Sequence, residues 1–404
     1  MGLDTPTCVS LFTGAGGLDV GLEEAGFSTV AAMDNNADCV STLLANQEAA
    51  LPVRGRPELT HLQGARIFQG DVAEITRSDL VPHTAPTGWR PTILVGGPPC
   101  QPFSSAGRQR GLDDPRGRLF VHFARLAEEL QPDFVLFENV RGLATARGET
   151  AAPGEVLLGV KAQFEGLGYV TRFALLNSAD FGAPQRRVRL FMLAAREGSA
   201  PVFPEPTHSR LRRDECKPWV SLGEFLAKMP VPSEAEVVRP SHLLVERLRD
   251  LPAGSGLKSP GRPEPTRPSG HWGYKQGTFI ADLGLPARTV TAASTQDWVR
   301  LPGQDLRRLT LRECAGLQGF PPGWQFVGTK ASQFRQVGNA VPAVFGEVLG
   351  EALASAASET DLERVSAPLP SSIRAAIAYT QRDDLKNGHV RPRSPHYLFS
   401  VPGQ

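Results

Sequence analysis

The stretch Thr7-Cys8-Val9-Ser10-Leu11-Phe12-Thr13-Gly14-Ala15-Gly16-Gly17 runs from a short apolar β-type segment straight into a glycine-rich turn. A helix pattern begins at Leu18 and stops at Gly26. Strand, glycine turn and helix in that order open a doubly wound α/β sheet. The glycines let the backbone turn tightly and approach a ligand, and the helix N-terminus behind them offers free N–H groups. Outward from this unit the alternation continues to about residue 195. Strands are expected over Thr29–Met33, Ile67–Phe68, Ile93–Val95, Phe134–Phe137, Tyr169–Leu176 and Val188–Leu193. Helices are expected over Asn36–Asn46, Leu119–Leu130 and Val156–Leu167. Repeated β-α-β spacing predicts a mostly parallel sheet covered on both faces.

The composition shifts after about residue 198. Five prolines fall between Pro252 and Pro268, so that segment is loop-rich. Regular signals return with Leu309–Leu317, and Asn339–Ala354 reads as one amphipathic helix. Beyond Ser355 the pattern is mixed, and it is weak from Asn387 to Gln404. A chain of 404 residues can bury a large core and is expected to divide into two domains. Hydrophobic content of 41% and charged content of 21% are those of an ordinary globular protein. Five scattered cysteines form neither a disulfide framework nor a metal pattern, so no metal is expected and a reducing cytoplasm is. No signal peptide and no apolar run near the length of a membrane span is seen. A net charge of only +1 means that any nucleic-acid surface must be a local concentration of basic residues.

Chemistry concentrates in a second loop. After Ile93-Leu94-Val95 comes Gly96-Gly97-Pro98-Pro99-Cys100-Gln101-Pro102-Phe103-Ser104. Two glycines and three prolines hold a cysteine at the C-terminal end of a strand, where open α/β sheets place their reactive groups. Cys100 is therefore a candidate nucleophile, against the alternative of an inert buried thiol. The first glycine turn is used by dinucleotides, nucleotides and S-adenosylmethionine alike. Asp34, twenty residues after Gly14, can accept hydrogen bonds from ribose hydroxyls, and Asp71 after the third strand can receive an adenine amino group. Both also fit a helix cap or turn.

The chain resembles the DNA (cytosine-5) methyltransferases, bacterial type. The resemblance rests on six ordered motifs: LFTGAGG at Leu11–Gly17, GGPPCQPFS at Gly96–Ser104, ENV at Glu138–Val140, QRRVR at Gln185–Arg189, LTLRECAGLQGFP at Leu309–Pro321 and QVGNAVP at Gln336–Pro342. It implies a class I S-adenosylmethionine-dependent methyltransferase fold, Rossmann-like, with a smaller target-recognition domain. The catalytic domain is expected over 1–198 plus 330–355, the small domain over 199–329 with its recognition region at about 200–305, and a tail over 356–404.

The resemblance also assigns roles. Cys100 would attack cytosine carbon-6, since carbon-5 is too poor a nucleophile unaided. Glu138 would hold ring nitrogen-3 with a carboxyl of raised pKa. Arg189 would contact the cytosine carbonyl oxygen, and Arg187 would orient the catalytic loop or Glu138; two apart on a β segment, they face one side. No motif side chain is an obvious base for the carbon-5 proton, which leaves a water. Phe12 would pack on adenine, Gly14 and Gly17 would line the methionine part, Asp34 would hold ribose, and Asp71 with Val72 the adenine. Gln101, Leu119, Asn339 and Val341 would complete the pocket for S-adenosyl-L-methionine. The family often has glutamate where Asp34 stands and an acid where Ser10 stands.

Residues 105–118, with three glycines and four arginines, read as a loop closing over DNA, with Arg108 and Arg110 as phosphate contacts. Base flipping follows from a target buried in duplex DNA. Basic residues in the recognition region are Arg210, Arg212, Arg213, Lys217, Arg247, Arg249, Arg262, Arg267 and Lys275, beside Trp272 and Tyr274. The expected setting is restriction–modification or phage defence: a cytoplasmic monomer acting on double-stranded DNA, with any endonuclease encoded separately. The alternatives are a transfer-RNA cytosine-5 methyltransferase and a non-catalytic DNA-binding homologue.

Overall fold

The alternating signals fold into a seven-stranded sheet with helices on both faces. The computed structural model describes residues 5–99, 119–148, 150–210, 215–258, 260–261, 278–357 and 366–386. The first half contains β1 (Thr7–Leu11), α1 (Gly17–Glu24), β2 (Ser28–Asp34), α2 (Ala37–Ala49), a hairpin of β3 (Pro52–Val53) and β4 (Arg56–Thr60), β5 (Arg66–Gln69), α3 (Arg77–Leu80), β6 (Ile93–Gly96), α4 (Leu119–Leu130), β7 (Phe134–Val140), α5 (Glu155–Gly166), β8 (Val170–Asn177) and β9 (Val188–Ala195). The sheet order is β5-β2-β1-β6-β7-β9-β8. Neighbours pair in parallel except β9, which runs against both β7 and β8. The order reverses between β1 and β6, and crevices outside such a reversal are where open sheets bind ligands.

Strand alternation sorts the side chains into two cores. Val9, Leu11, Leu94, Val135, Phe137 and Met192 face one way, onto Phe123 and Leu126 of α4 and Phe164 of α5. Cys8, Ile93, Val95, Leu136 and Leu193 face the other way, onto Leu18 and Leu22 of α1. The latter layer is completed from far along the chain by α10 (Ala343–Ala357), whose Phe345, Leu349 and Leu353 are buried against it. The two helices touch backbone to backbone. A Cβ on Gly21 would overlap the Ala343 carbonyl oxygen, and one on Gly346 would overlap that of Leu18.

The second half carries β10 (His208–Ser209), β11 (Lys217–Pro218), α6 (Leu222–Lys228), α7 (His242–Leu248), β12 (Ser255–Gly256), β13 (Phe279–Ile280), β14 (Trp298–Val299), β15 (Arg307–Arg308), α8 (Leu311–Leu317) and α9 (Lys330–Asn339) before α10, and α11 (Ser371–Lys386) after it. Strands β12 to β15 form a small sheet. Helix α8 explains the start of the LTLRECAGLQGFP motif. Thr310 caps it, Glu313 closes the capping box, and Glu313 takes both Arg307 guanidinium nitrogens at 2.7 and 2.8 Å.

Two expectations need correction. The single helix over Asn339–Ala354 is two, broken at Ala340-Val341-Pro342. Proline has no N–H and disfavours the helical conformation of the residue before it. The freed carbonyls of Val337 and Ala340 are taken by Gln318 Nε2. By length and composition alone the stretch Lys330–Ala357 is apolar enough to cross a membrane, but the apolar face of α10 is spent on α1 and the sheet. The mixed tail also contains a helix. In α11, Ile373, Ala376 and Ile377 stand at helical spacing and join the core beside Leu143 and Ala144. Ala367 N–H donates to the Thr171 carbonyl and ties the lead-in to the edge strand β8. Ile373 is 0% exposed, so Ile373→Asp should lower stability by about 3 kcal/mol in urea unfolding, the cost of an unpaired buried charge.

Candidate active site

The C-terminal ends of β6 and β7 lie side by side, with β6 bordering the reversal. The ENV triplet is not beyond its strand but inside it, because β7 continues to Val140 along β9. In that register Val140 lies opposite Arg189. Glu138, two residues back on the same face, is therefore a diagonal neighbour of Arg189. Arg189 Nε lies 3.0 Å from Glu138 Oε1. The other carboxylate oxygen, Oε2, lies 2.7 Å from where a Cβ on Gly97 would sit, so a side chain there would push the carboxylate aside. Asn139 Nδ2 donates to the Pro98 carbonyl at 3.0 Å, clamping the proline loop to β7. Glu138 is 8% exposed, and burial raises its carboxyl pKa while the charges of Arg189 and Arg187 pull it down.

Cys100 and Gln101, with the 105–118 loop, Arg108 and Arg110, lie outside the described residues; Gly97-Pro98-Pro99 lead up to them. The remaining cysteines are poor nucleophile candidates. Cys8, Cys39 and Cys314 are buried. Burial lifts the thiols of Cys8 and Cys314 well above the ordinary range and that of Cys39 to about 12. Cys216 Sγ bonds the Pro206 carbonyl at 3.3 Å in the second half of the chain.

Arg187 is buried and donates to the carbonyls of Val290 at 3.1 Å and Gly338 at 2.8 Å. It thereby joins β9 to the end of α9. A latch the sequence reading missed runs beside it. Gln185 donates to Gln318 Oε1 at 2.9 Å and accepts from Val290 N–H at 2.8 Å, and Gln318 reaches the helix break. Both glutamines were legible as motif members, yet nothing in their spacing shows that two distant motifs share one hydrogen bond.

The first glycine turn has the shape of a cradle. Phe12 and Gly14 have φ of 56° and 58°, and a Cβ on Gly14 would meet nothing within 4 Å. Gly16 caps α1 with no side-chain partner for the helix amides. Gly14 N–H donates to Asp34 Oδ2 at 2.8 Å and Asn36 N–H to Oδ1 at 2.9 Å. Asp34 thus holds the turn itself and keeps lone pairs for a further donor. Asp71 is exposed and accepts from Ala73 N–H, whereas Val72 points into the core. Leu119, half-buried, opens α4; Asn339 is exposed at the end of α9, and Val341 in the break abuts Gly17. An open cradle, uncapped amides and a carboxylate with spare acceptor capacity fit an adenosyl amino acid. Among the described residues no cluster of three or more His, Cys, Asp or Glu could hold a metal ion. A cavity of about 550 Å³ between α1, α10 and Phe320 touches Gln318 of the latch but is lined neither by Glu138 or Arg189 nor by the residues of the glycine turn.

The family model for C-5 cytosine-specific DNA methylase matches residues 7–355. The chain belongs to this family. Its activity is that of a DNA methyltransferase acting at cytosine carbon-5. It is 30% identical over 356 residues to the Type II methyltransferase M1.HphI of Haemophilus parahaemolyticus, 86% of each chain. It is 31% identical over 355 residues to M.NaeI of Lentzea aerocolonigenes, 86% of this chain and 74% of the relative. Two solved structures share the fold. A DNA modification methyltransferase encoded within an E. coli prophage superposes with a TM-score of 0.62 at 21% identity, covering 88% of this chain and 100% of its own. A Spodoptera frugiperda DNMT2 mutant superposes with 0.60 at 18%, covering 87% and 100%. The fold is that of the methyltransferases. The family match ends at residue 355, so α11 lies outside it.

Proposed function

We propose that this methyltransferase takes its methyl group from S-adenosyl-L-methionine and delivers it to a cytosine flipped out of duplex DNA within one short sequence. The observation that carries this reading is the buried Glu138–Arg189 pair facing Gly97 beside the sheet reversal. It offers an acid and a fixed cation to one edge of a planar ring. In the proposed chemistry the Cys100 thiolate adds to carbon-6. Glu138 gives a proton to ring nitrogen-3, so the electrons of the ring collect at carbon-5 rather than as a bare anion. Arg189 faces the exocyclic carbonyl oxygen, and Arg187 positions the strand that carries it. The cofactor, when bound, supplies an electrophilic methyl on a sulfonium. Phe12, Gly14, Gly17, Asp34, Asp71, Val72, Gln101, Leu119, Asn339 and Val341 would hold it. After transfer the carbon-5 proton leaves to water, the carbon–sulfur bond breaks, and Cys100 departs as thiolate while nitrogen-3 returns its proton.

Residues 1–198 and 330–355 form the catalytic unit in this reading, and 200–305 the sequence reader. Arg210, Lys217, Arg247 and Arg249 of the basic set are exposed and suited to phosphate or base contact. Arg212, Arg213, Arg262, Arg267, Trp272, Tyr274 and Lys275 lie outside the described residues. The names of the relatives support a restriction–modification role; the reading adds a separately encoded endonuclease and a monomeric, cytoplasmic enzyme. The test is transfer of tritium from labelled S-adenosylmethionine to duplex DNA and, in parallel, to transfer RNA. Label is expected in DNA. Label in RNA alone overturns the proposal.

A further inference from the structure

The glycines of the first turn differ in what stands beside them. Gly14 is open, whereas Gly16 and Gly17 are pressed by parts of the chain that come much later. A Cβ on Gly16 would lie 3.0 Å from Leu43 Cδ2 of α2 and 3.3 Å from Trp324 Cζ2. A Cβ on Gly17 would meet the Val341 carbonyl oxygen, Ala340 and Phe320. Gly16 has a φ of 85° and is the N-cap of α1, so Trp324 backs the point where the turn becomes the helix.

Trp324 stands on the loop between α8 and α9. Its ring packs on Phe320 with centroids 5.6 Å apart, and His61 meets it edge-on at 5.8 Å. The loop around it is clasped to α2. Asn46 Nδ2 donates to the Gln325 carbonyl and Asn46 Oδ1 accepts from Gln325 N–H, both at 2.8 Å. Thr42 Oγ1 accepts from Val327 N–H at 2.8 Å and donates to Gln336 Oε1 at 2.7 Å. Gln336 Nε2 returns to the Val327 carbonyl at 2.7 Å. Thr42 and Asn46 therefore fix the loop while Leu43, between them on α2, meets Gly16 together with Trp324. Trp324 is 8% exposed, and its Nε1 has no hydrogen-bond partner among the described residues. A buried orphan donor is costly, so a ring without one would be the better core residue if filling space were all that is asked. The far edge of the indole is what reaches Gly16.

We propose that Trp324 is a positioning residue for the cofactor turn: held by the loop's clasp to α2, its indole backs Gly16 and keeps the first amides of α1 in the shape that receives S-adenosylmethionine. The proposal rests on the cofactor reading above. Glycine is free to leave a left-handed conformation, so a turn built on Gly14 and Gly16 needs an outside support to stay in one shape. Without the ring the turn samples other shapes, and binding must then order it at a cost in affinity. Trp324 touches no reacting atom in this reading, so its loss acts on cofactor binding and not on the chemical step.

Calorimetric binding of S-adenosylmethionine, single-turnover transfer at saturating cofactor, and hydrogen exchange of residues 14–20 in cofactor-free protein test this together. Trp324→Leu should weaken cofactor binding about tenfold, within the range of coupling between packed neighbours. It should speed exchange in the turn and leave the saturated transfer rate within about twofold of wild type. Trp298→Leu is the matched control. Trp298 is also buried with an unpartnered Nε1 among the described residues, but it lies in the small sheet, and its loss should leave cofactor affinity unchanged. Asn46→Ala frees the loop without touching the ring and should weaken binding about threefold. Combined with Trp324→Leu it should be no worse than Trp324→Leu alone, because the clasp acts through the ring. Unchanged affinity in Trp324→Leu, or an equal loss in Trp298→Leu, overturns the proposal. If Trp324→Leu fails to fold, unchanged affinity and exchange in Asn46→Ala overturn it. If wild type binds no cofactor, the cofactor reading fails, and the exchange data still decide whether Trp324 holds the turn.

Discussion

Glutamine in place of Glu138 should cut single-turnover methyl transfer by about a thousandfold, within the range of positioned acid–base groups. Binding of DNA and cofactor should stay near wild type. The side chain is sealed between Arg189 and Gly97, so an isosteric amide fills the same space. It can still hydrogen-bond a ring nitrogen, but it has no proton to give. Wild-type turnover should fall as pH rises through the raised carboxyl pKa, because the ionised form cannot protonate nitrogen-3. The variant should lose that alkaline limb. If it stays as active as wild type, Glu138 is a structural partner of Arg189 and nothing more.

Cys100→Ser should abolish transfer, leaving duplex DNA binding intact by gel shift. A serine hydroxyl is not ionised near neutral pH and is a far weaker nucleophile than a thiolate. Cys216→Ala is the matched control and should retain activity. The described cysteines make the elimination concrete, since Cys8, Cys39 and Cys314 have their thiols pushed up by burial. A Cys100→Ser protein that still methylates would move the nucleophile elsewhere.

The catalytic half was legible because its signals are local. An apolar run that ends in glycines must turn, and Leu11–Gly17 does so where expected. Glu138 and Arg189 were readable as residues but not as a pair. Their contact depends on β9 running antiparallel to β7, a register that no local spacing encodes. The Gln185–Gln318 bond joins motifs far apart in the chain and is invisible for the same reason. The small sheet was missed because two-residue strands carry no alternation. Helix α11 was overlooked although Ile373, Ala376 and Ile377 carry helical spacing, since polar residues dominate the rest of its surface.

The central claim is that Cys100 bonds cytosine carbon-6 during methyl transfer. A duplex carrying 5-fluorocytosine at the target tests it directly, since a carbon-5 fluorine cannot leave as a proton and the adduct persists. With S-adenosylmethionine present, a denaturation-resistant protein–DNA complex should form, and mass spectrometry of its peptides should place the modification on Cys100. Methylation of ordinary duplex without any such complex, or an adduct on another residue, would contradict the account.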